Sequence, residues 1–274
     1  MMVTLKTADN AELREAVYAG KVVRIPANAV SRRLVKAVWA ALEAEFGTVT
    51  ARRQLQFKLP GDEFYARIGK VRKRLACEEL YRKRLFQLLS HHGFTQGEHA
   101  VDPVRLRAVT HLGHENPKAA PAYTAHRDSW YANPQAQINW WIPLHAVTEA
   151  DSFAFYHDLF DKPVPNNSAD FDYDEWMANI GWQSTSGKPA VYPSAQEGSF
   201  DPAKGVAFCC GAGDIILFSA AHLHQTMKNA SGLTRFSIDF RTVHLGDHSS
   251  GKGAANVDNQ STGDALKDYV IPTR

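Results

Sequence analysis

Two histidines and one carboxylate are the residues through which this sequence could do chemistry. His126 and Asp128 flank a single residue, Arg127. In an extended segment, residues i and i+2 point to the same side. An imidazole and a carboxylate then converge on one cation while Arg127 turns away. An HxD triplet alone is common and reads by default as a surface pair. A downstream segment, GAGDIILFSAAHLHQTMKNASGLTRFSIDFR over 211–241, makes it informative. A glycine turn leads into an apolar strand that ends at His222 and His224. A loop with Asn229 and Gly232 follows, and a second strand begins at Arg235, eleven positions after His224.

Two histidines and a carboxylate form a facial set that leaves three neighbouring positions open on six-coordinate Fe(II). Two of these suit the keto and carboxylate oxygens of 2-oxoglutarate, and the third suits O2. The far carboxylate of such a co-substrate needs a fixed, planar, permanently charged partner, which arginine supplies better than lysine. That is a chemical reason for an arginine one hairpin beyond the distal histidine.

At this point the sequence resembles the phytanoyl-CoA dioxygenase-like branch of the iron(II)/2-oxoglutarate oxygenases. The resemblance is carried by His126, Asp128, His224, Asn229 and Arg235, and by the WIPL of Trp141–Leu144, and it extends over most of residues 20–243. It implies that His126, Asp128 and His224 form both the metal set and the catalytic set, with Fe(II), 2-oxoglutarate and O2 as cofactor and co-substrates. It implies that Arg235 pairs with the co-substrate. The implied reaction is oxidation of an unactivated C–H bond of a small-molecule metabolite, most simply hydroxylation, with release of succinate and CO2. The implied fold is α+β, mainly β: a double-stranded β-helix (jelly-roll, cupin-like) core with N-terminal helices packed outside. Relatives that halogenate lack the carboxylate, so Asp128 points away from halogenation, whereas desaturation, cyclisation and epimerisation share the triad. Periodicity does not choose between His222 and His224. The family's offsets to Asn229 and Arg235 favour His224 and leave His222 beside the ligands. Residues 235, 237, 239 and 241 alternate onto one face. Arg235 is the expected carboxylate partner, and Arg241 is expected to pair with Asp239.

These side chains need elements to hold them. Residues 21–25 (KVVRI) read as a strand closed by Pro26. Ser31 reads as the N-cap of a helix marked by Leu34, Val35, Val38, Ala41 and Leu42 and ended by Gly47. Asp62 reads as the cap of a second helical region that runs to about Leu89, with Phe64, Ile68, Val71 and Leu75 facing inward. Its basic residues, among them Arg67, Lys70, Arg72 and Arg74, could bind an anion or a nucleic acid; a solvated helix face is the expected reading. From about residue 104 the texture changes to short β-branched or aromatic runs: VRLRAVTHL, QINWWIPL, GVAFCC, DIILFSA and RFSIDFRTV. On QINWWIPL, Gln137, Asn139 and Trp141 share one face, and Ile138, Trp140 and Ile142 the other. Gln137 and Trp141 are therefore candidate co-substrate contacts. The stretch 157–204 combines Pro163, Pro165, Asn166, Asn167, Pro189, Pro193 and Pro202 with Phe171, Tyr173, Trp176, Trp182 and Tyr192, and is expected to be a packed insertion that covers a site. The expected organisation is a single domain over 1–274: a helical part to about 100, a jelly-roll core over about 104–245, and a surface or flexible tail over 246–274.

Bulk properties set the outer limits. Thirty-one basic and 29 acidic side chains give a formal charge of +2, without the basic excess of a dedicated nucleic-acid binder. No apolar run is long enough for a membrane span, and the first residues lack a signal-peptide pattern, so a cytoplasmic protein without membrane or nucleic-acid partners is expected. Cys77, Cys209 and Cys210 read as reduced, buried thiols. The remaining histidines, His111 and His114 included, read as turn or structural residues. The basic groups Arg105, Arg107 and Lys118 and the aromatics of 171–192 permit a small anionic or aromatic substrate. Two other classes share some of these features. A cupin-like metalloenzyme that does not use 2-oxoglutarate, an isomerase or a cofactor-free dioxygenase, explains the histidines but not the arginine after the hairpin. The other is a non-catalytic binding or regulatory protein on the same fold, against which an intact triad argues.

Overall fold

In a computed structural model of the chain, residues 1–5, 9–47, 51–116, 119–179 and 192–272 are described. In chain order the elements are β1 (Met2–Thr4), α1 (Asn10–Tyr18), β2 (Val22–Ile25), α2 (Ala29–Phe46), α3 (Gly61–Cys77), α4 (Glu79–His91), β3 (His99–Val101), β4 (Arg105–Val109), β5 (Gln137–Pro143), β6 (Phe153–Phe155), α5 (Tyr173–Asn179), β7 (Ile215–Ser219), β8 (His224–Thr226), β9 (Arg235–His244) and α6 (Leu245–Ser249). The fold is thus mixed, with a mainly antiparallel sheet.

Seven strands form the main sheet in the order β1-β2-β7-β5-β9-β3, with β4 also on β9. Only β1 and β2 run parallel. The ten-residue β9 organises it. Residues 237–243 of β9 pair with β5 along one edge, while β4 and then β3 share the other edge. A second sheet pairs β6 with β8 in antiparallel register, Phe155 opposite His224. Isolated bridges extend it at His126–His224 and Phe155–Val206.

All seven residues of β5 are buried, because both faces of the main sheet are covered. Ile138, Trp140 and Ile142 enter one large apolar core with Ile215, Leu217, Phe236, Ile238 and Phe240 and the inner faces of α1 to α4. Trp140 and Phe240 stack there at 5.4 Å. On the other face, Trp141, Ile216 and Phe218 pack against Phe153, Phe155 and Phe208, an aromatic layer between the two sheets.

The helices obey their sequence signals with two departures. The N-cap of α2 is Asn28, not Ser31. Ser31 sits three residues on and completes a capping box: Asn28 Oδ1 accepts from the Ser31 N–H at 2.9 Å, and Ser31 Oγ accepts from the Asn28 N–H at 3.0 Å. Gly47 ends the helix at φ 78°, a left-handed conformation that costs glycine least. The second helical region is two helices, broken at an extended Glu78 (ψ 133°) and begun after Pro60 rather than capped by Asp62. The stripe Phe64, Ile68, Val71 and Leu75 is buried as its spacing predicts.

Three further expectations are corrected. GVAFCC holds only single bridges at Val206 and Cys210 and is not a strand. Cys77 and Cys209 are exposed, and only Cys210 is buried. The tail keeps to the surface, one of its two expected readings, and is built into the molecule rather than loose. Val270 bridges Val101, and Gly253 lies so close to the backbone of Gln135 that an added Cβ would approach within 2.5 Å. Of the insertion, Phe171, Tyr173 and Trp176 pack into a small core with Ala265 of the tail; Trp182 and Lys118 lie outside the described residues. No helix among the described residues is long and apolar enough to cross a membrane.

Candidate metal centre

His126 and His224 face one another across an antiparallel bridge, each N–H donating to the other's carbonyl at 3.0 Å. Their rings lie 4.4 Å apart between centroids. Asp128 follows at the start of a 3-10 turn, Asp128–Tyr131, held by Asn133, whose Nδ2 donates to the Asp128 carbonyl at 2.8 Å. Asp128 Oδ1 then lies 3.5 Å from His126 Nε2 and 4.0 Å from His224 Nε2. One ligand atom from each residue falls within 4.8 Å of the others, a group that could hold a metal ion.

The hydrogen bonds behind the rings fit a cation. His126 Nδ1 is 2.9 Å from the Thr124 carbonyl, and His224 Nδ1 is 3.0 Å from the His222 carbonyl. A carbonyl only accepts, so each Nδ1 carries the proton and each Nε2 presents a lone pair toward Asp128. That tautomer, fixed by an outer hydrogen bond, is the arrangement of metal-binding histidines. Burial also draws the His224 pKa down to about 4, with the nearby His126 adding to it, so the ring is a neutral donor at pH 7. Burial works against the Asp128 carboxylate. The facing imidazoles of His126 and His224, when either takes up a proton, and the nearby Arg241 outweigh that and hold it well below the usual range.

Arg127 turns away from the site, as the i, i+2 geometry requires, and becomes a buried clamp. Its Nε donates to Asp258 at 3.0 Å, and its Nη groups donate to the carbonyls of Leu159 (2.6 Å), Lys162 (2.8 Å) and Ala221. The guanidinium therefore ties the HxD segment to the segment that carries His224. Asp258 also accepts from Trp130 Nε1 at 2.7 Å, so the tail supports the same turn. His222 is fully buried. Its Nε2 meets the Gly20 carbonyl at 3.2 Å, and desolvation lowers its pKa to about 3. It lies outside the cluster and contributes its carbonyl to His224. β7 ends at Ser219, so the two histidines do not share one continuous strand.

The triad opens into a cavity of about 480 Å³. Arg235, Trp141 and Asn139 line it too, with Tyr131 and Tyr192 among the walls. Arg235 is 3% exposed and lies 5.7 Å from the Trp141 ring centre. Its Nη1 donates to the Ser152 carbonyl at 3.1 Å, but its buried Nε has no partner. Among the described residues no carboxylate forms an ion pair with it. Burial lowers its pKa to about 10, against the opposing pull of Asp151, which leaves it charged at pH 7. A buried, charged and incompletely bonded guanidinium is costly unless something anionic meets it.

Gln137 stands apart from the cavity walls. Its Oε1 accepts from the Tyr269 hydroxyl at 2.7 Å and its Nε2 donates to Asn139 Oδ1 at 3.0 Å. The residue of that strand face which reaches the cavity beside Trp141 is Asn139, with a buried Nδ2 that has no partner. Arg241 does not pair with Asp239. Its Nε faces Asp102 at 3.3 Å and its Nη1 donates to Asn133, while Asp239 takes a two-point bond from Arg107 at 2.5 and 3.1 Å. No local pattern in the sequence signals this exchange; it follows from the register of β4 on β9, which sets Arg105 opposite Asp239 and Arg107 opposite Ser237, within diagonal reach of Asp239. Asn229 is buried in the β8–β9 loop, where its Nδ2 donates to the carbonyls of Val109 and Leu233.

No family model matches the chain, and no curated protein matches it in sequence. Solved structures do resemble it. EvdO2 from Micromonospora carbonacea var. aurantiaca is 14% identical and superposes with a TM-score of 0.51, over 89% of this chain and 94% of that one. The chain shares its fold with EvdO2. EvdO2 complexed with 2-oxoglutarate (15% identity, 89% and 94% covered, TM-score 0.45) is a looser match. So is the epimerase SnoN in complex with Fe3+, alpha ketoglutarate and nogalamycin RO (15%, 85% and 84%, 0.42).

Proposed function

We propose that this protein is an iron(II)- and 2-oxoglutarate-dependent oxidoreductase of the phytanoyl-CoA dioxygenase-like type, built on a double-stranded β-helix core, that hydroxylates a small-molecule metabolite. One observation carries the reading. A His–Asp–His cluster and a buried arginine without a carboxylate partner among the described residues line the same cavity. A metal site alone would not call for that arginine. EvdO2, whose fold is shared, has been obtained complexed with 2-oxoglutarate.

In this reading His126, Asp128 and His224 hold the iron, and Arg235 receives the far carboxylate of 2-oxoglutarate. When bound, the iron and the keto acid together supply an oxidant made from O2, with succinate and CO2 as the other products. The protein's own part is to hold and exclude. The two backbone carbonyls keep both imidazoles in the ligating tautomer. Arg127 and Asp258 keep the HxD turn in place. Trp141, Phe153 and Phe218 form an apolar wall beside the triad, which keeps water from the reacting centre. Asp128 occupies the position that a halide would need, which favours hydroxylation over halogenation.

The test is the visible spectrum of the protein mixed with Fe(II) and 2-oxoglutarate without oxygen. Chelation of ferrous iron by the keto acid gives a weak charge-transfer band. The band is expected in the wild type, absent in His224→Ala, and seen in Arg235→Ala only at much higher 2-oxoglutarate. Truncating one side of a buried charge pair costs about 2–5 kcal/mol. Metal uptake with no band at any 2-oxoglutarate concentration would refute the reading and leave a metalloenzyme of another class.

A further inference from the structure

The cavity and its wall carry more positive charge than the proposed cofactors can use. Arg72, Arg105, Arg107, Arg235 and Arg241 gather there against Asp102, Asp128 and Asp239. Asp102 is shared by Arg105 at 2.9 Å and Arg241 at 3.3 Å. Asp239 is taken by Arg107, and Asp151, near Arg235, is matched by Arg53 at 2.6 Å. A divalent iron and a dianionic 2-oxoglutarate cancel one another. Two guanidinium charges are therefore left over whether or not both are bound. Arg235 accounts for one charge of the co-substrate, so the surplus belongs elsewhere in the cavity.

Its place is the rim. Arg72 projects from α3 toward β4, and its Nε donates to the Leu106 carbonyl at 3.0 Å. That bond fixes the plane of the guanidinium of a residue that is exposed as a whole and lines the cavity. No carboxylate among the described residues pairs with it. Arg107 stands close enough to depress the Arg72 pKa further than burial alone does. The Arg107 side chain is 48% exposed despite its bond to Asp239. Two neighbouring guanidiniums repel unless an anion lies between them, and a fixed planar fork is the geometry that matches an oxyanion. An arginine on a merely solvated helix face would have neither the fixed Nε nor a second guanidinium beside it.

We propose that the substrate is an anion, bearing a carboxylate or a phosphate ester that Arg72 and Arg107 bind at the cavity rim. The anchored end then sets which part of the substrate reaches the metal triad. This rests on the reading of the triad and Arg235 as the iron and 2-oxoglutarate sites, which leaves the rim as the place for substrate.

The test uses the anaerobic protein loaded with Fe(II) and saturating 2-oxoglutarate, so that Arg235 is filled. It is titrated calorimetrically at low ionic strength with inorganic phosphate and, separately, with acetate. Saturable binding of at least one ion is expected, and the stronger of the two identifies the anionic group. Arg72→Gln should weaken it about tenfold or more, as loss of a charge-assisted bond predicts. Arg72→Lys, which keeps charge but not the fork, should fall between. Arg67→Gln, on the same helix and paired with Glu63, should bind as wild type. The proposal is overturned if the wild type binds neither ion, or if Arg72→Gln binds as tightly as wild type. The visible band of the same samples reports the cofactor reading separately. Its absence beside Arg72-dependent anion binding would refute that reading and not this one.

Discussion

The two faces of the main sheet are made by the same strands and serve opposite ends. Along β9, Phe236, Ile238 and Phe240 point into the helix-covered core, while Arg235, Asp239 and Arg241 point into the cavity. β5 divides likewise, with Ile138, Trp140 and Ile142 on one side and Asn139 and Trp141 on the other. Period-two alternation sorts stability from chemistry one residue at a time. The apolar face lowers the free energy of the fold by removing hydrocarbon from water. The polar face spends part of that stability on guanidiniums and carboxylates held ready for charged ligands. A variant on one face should therefore change what a variant on the other leaves alone.

The largest effect is expected on the cavity side. Asp128→Ala removes the only carboxylate of the metal cluster and should abolish turnover, together with the charge-transfer band. A variant that keeps the band would break the assignment of the triad. On the helix side, Phe240→Ala should cost about 3–5 kcal/mol of unfolding free energy, because it opens a cavity against Trp140. Urea titration measures this. The folded fraction should bind iron as wild type does; a matching loss of metal affinity would mean the two faces are not separable.

The alternation was legible in the sequence because hydrophobic period is a local property. So was the triad, since HxD and the histidine-to-arginine hairpin are short patterns. What was not legible depends on long-range contact. Arg127 and Asp258 are 131 positions apart, and nothing in a Gly- and Asn-rich tail announces that one aspartate will clamp the turn that carries Asp128. Gln137 shares strand parity with Asn139, yet the tail residue Tyr269 engages it. Arg72 reads as one more cation on a basic helix; only the approach of α3 to β4 sets it at the cavity rim. The break at Glu78 carries no glycine or proline to mark it.

Acid should act on the helix side as well as on His224 of the triad, whose pKa burial lowers to the same value of about 4. His92 and His99 pack against Trp140 and Phe94 there, and burial lowers both pKa values from 6.5 to about 4, with neighbouring His91 contributing for His92. A depressed folded pKa means that the unfolded chain binds the proton first. The stability these rings allow is complete above pH 6.5 and is lost as pH falls toward 4. Metal-free protein should thus show a thermal midpoint that falls steadily across that window. His92→Gln combined with His99→Gln should make the fall shallower, with His224 left to contribute the rest. A pH-independent midpoint would show that the rings are not held neutral by the core.

The smallest stability change is expected from Asp239→Asn, and it sharpens the contrast most. Asp239 holds Arg107, but the arginine is half exposed, so solvent already screens the pair and its loss should cost less than about 1 kcal/mol. The neighbouring Phe240, one residue along the same strand, is expected to cost several times that. The effect of Asp239→Asn should appear in binding. Freed of its carboxylate, Arg107 can turn fully toward an anion shared with Arg72, and phosphate or acetate should bind several-fold more tightly. Calorimetry and urea titration on one preparation decide the matter. Tighter anion binding at nearly unchanged stability marks the ion pair as part of the site's charge balance. A large loss of stability with no gain in binding would make the pair a structural brace, and the division between the two faces would fail at that strand.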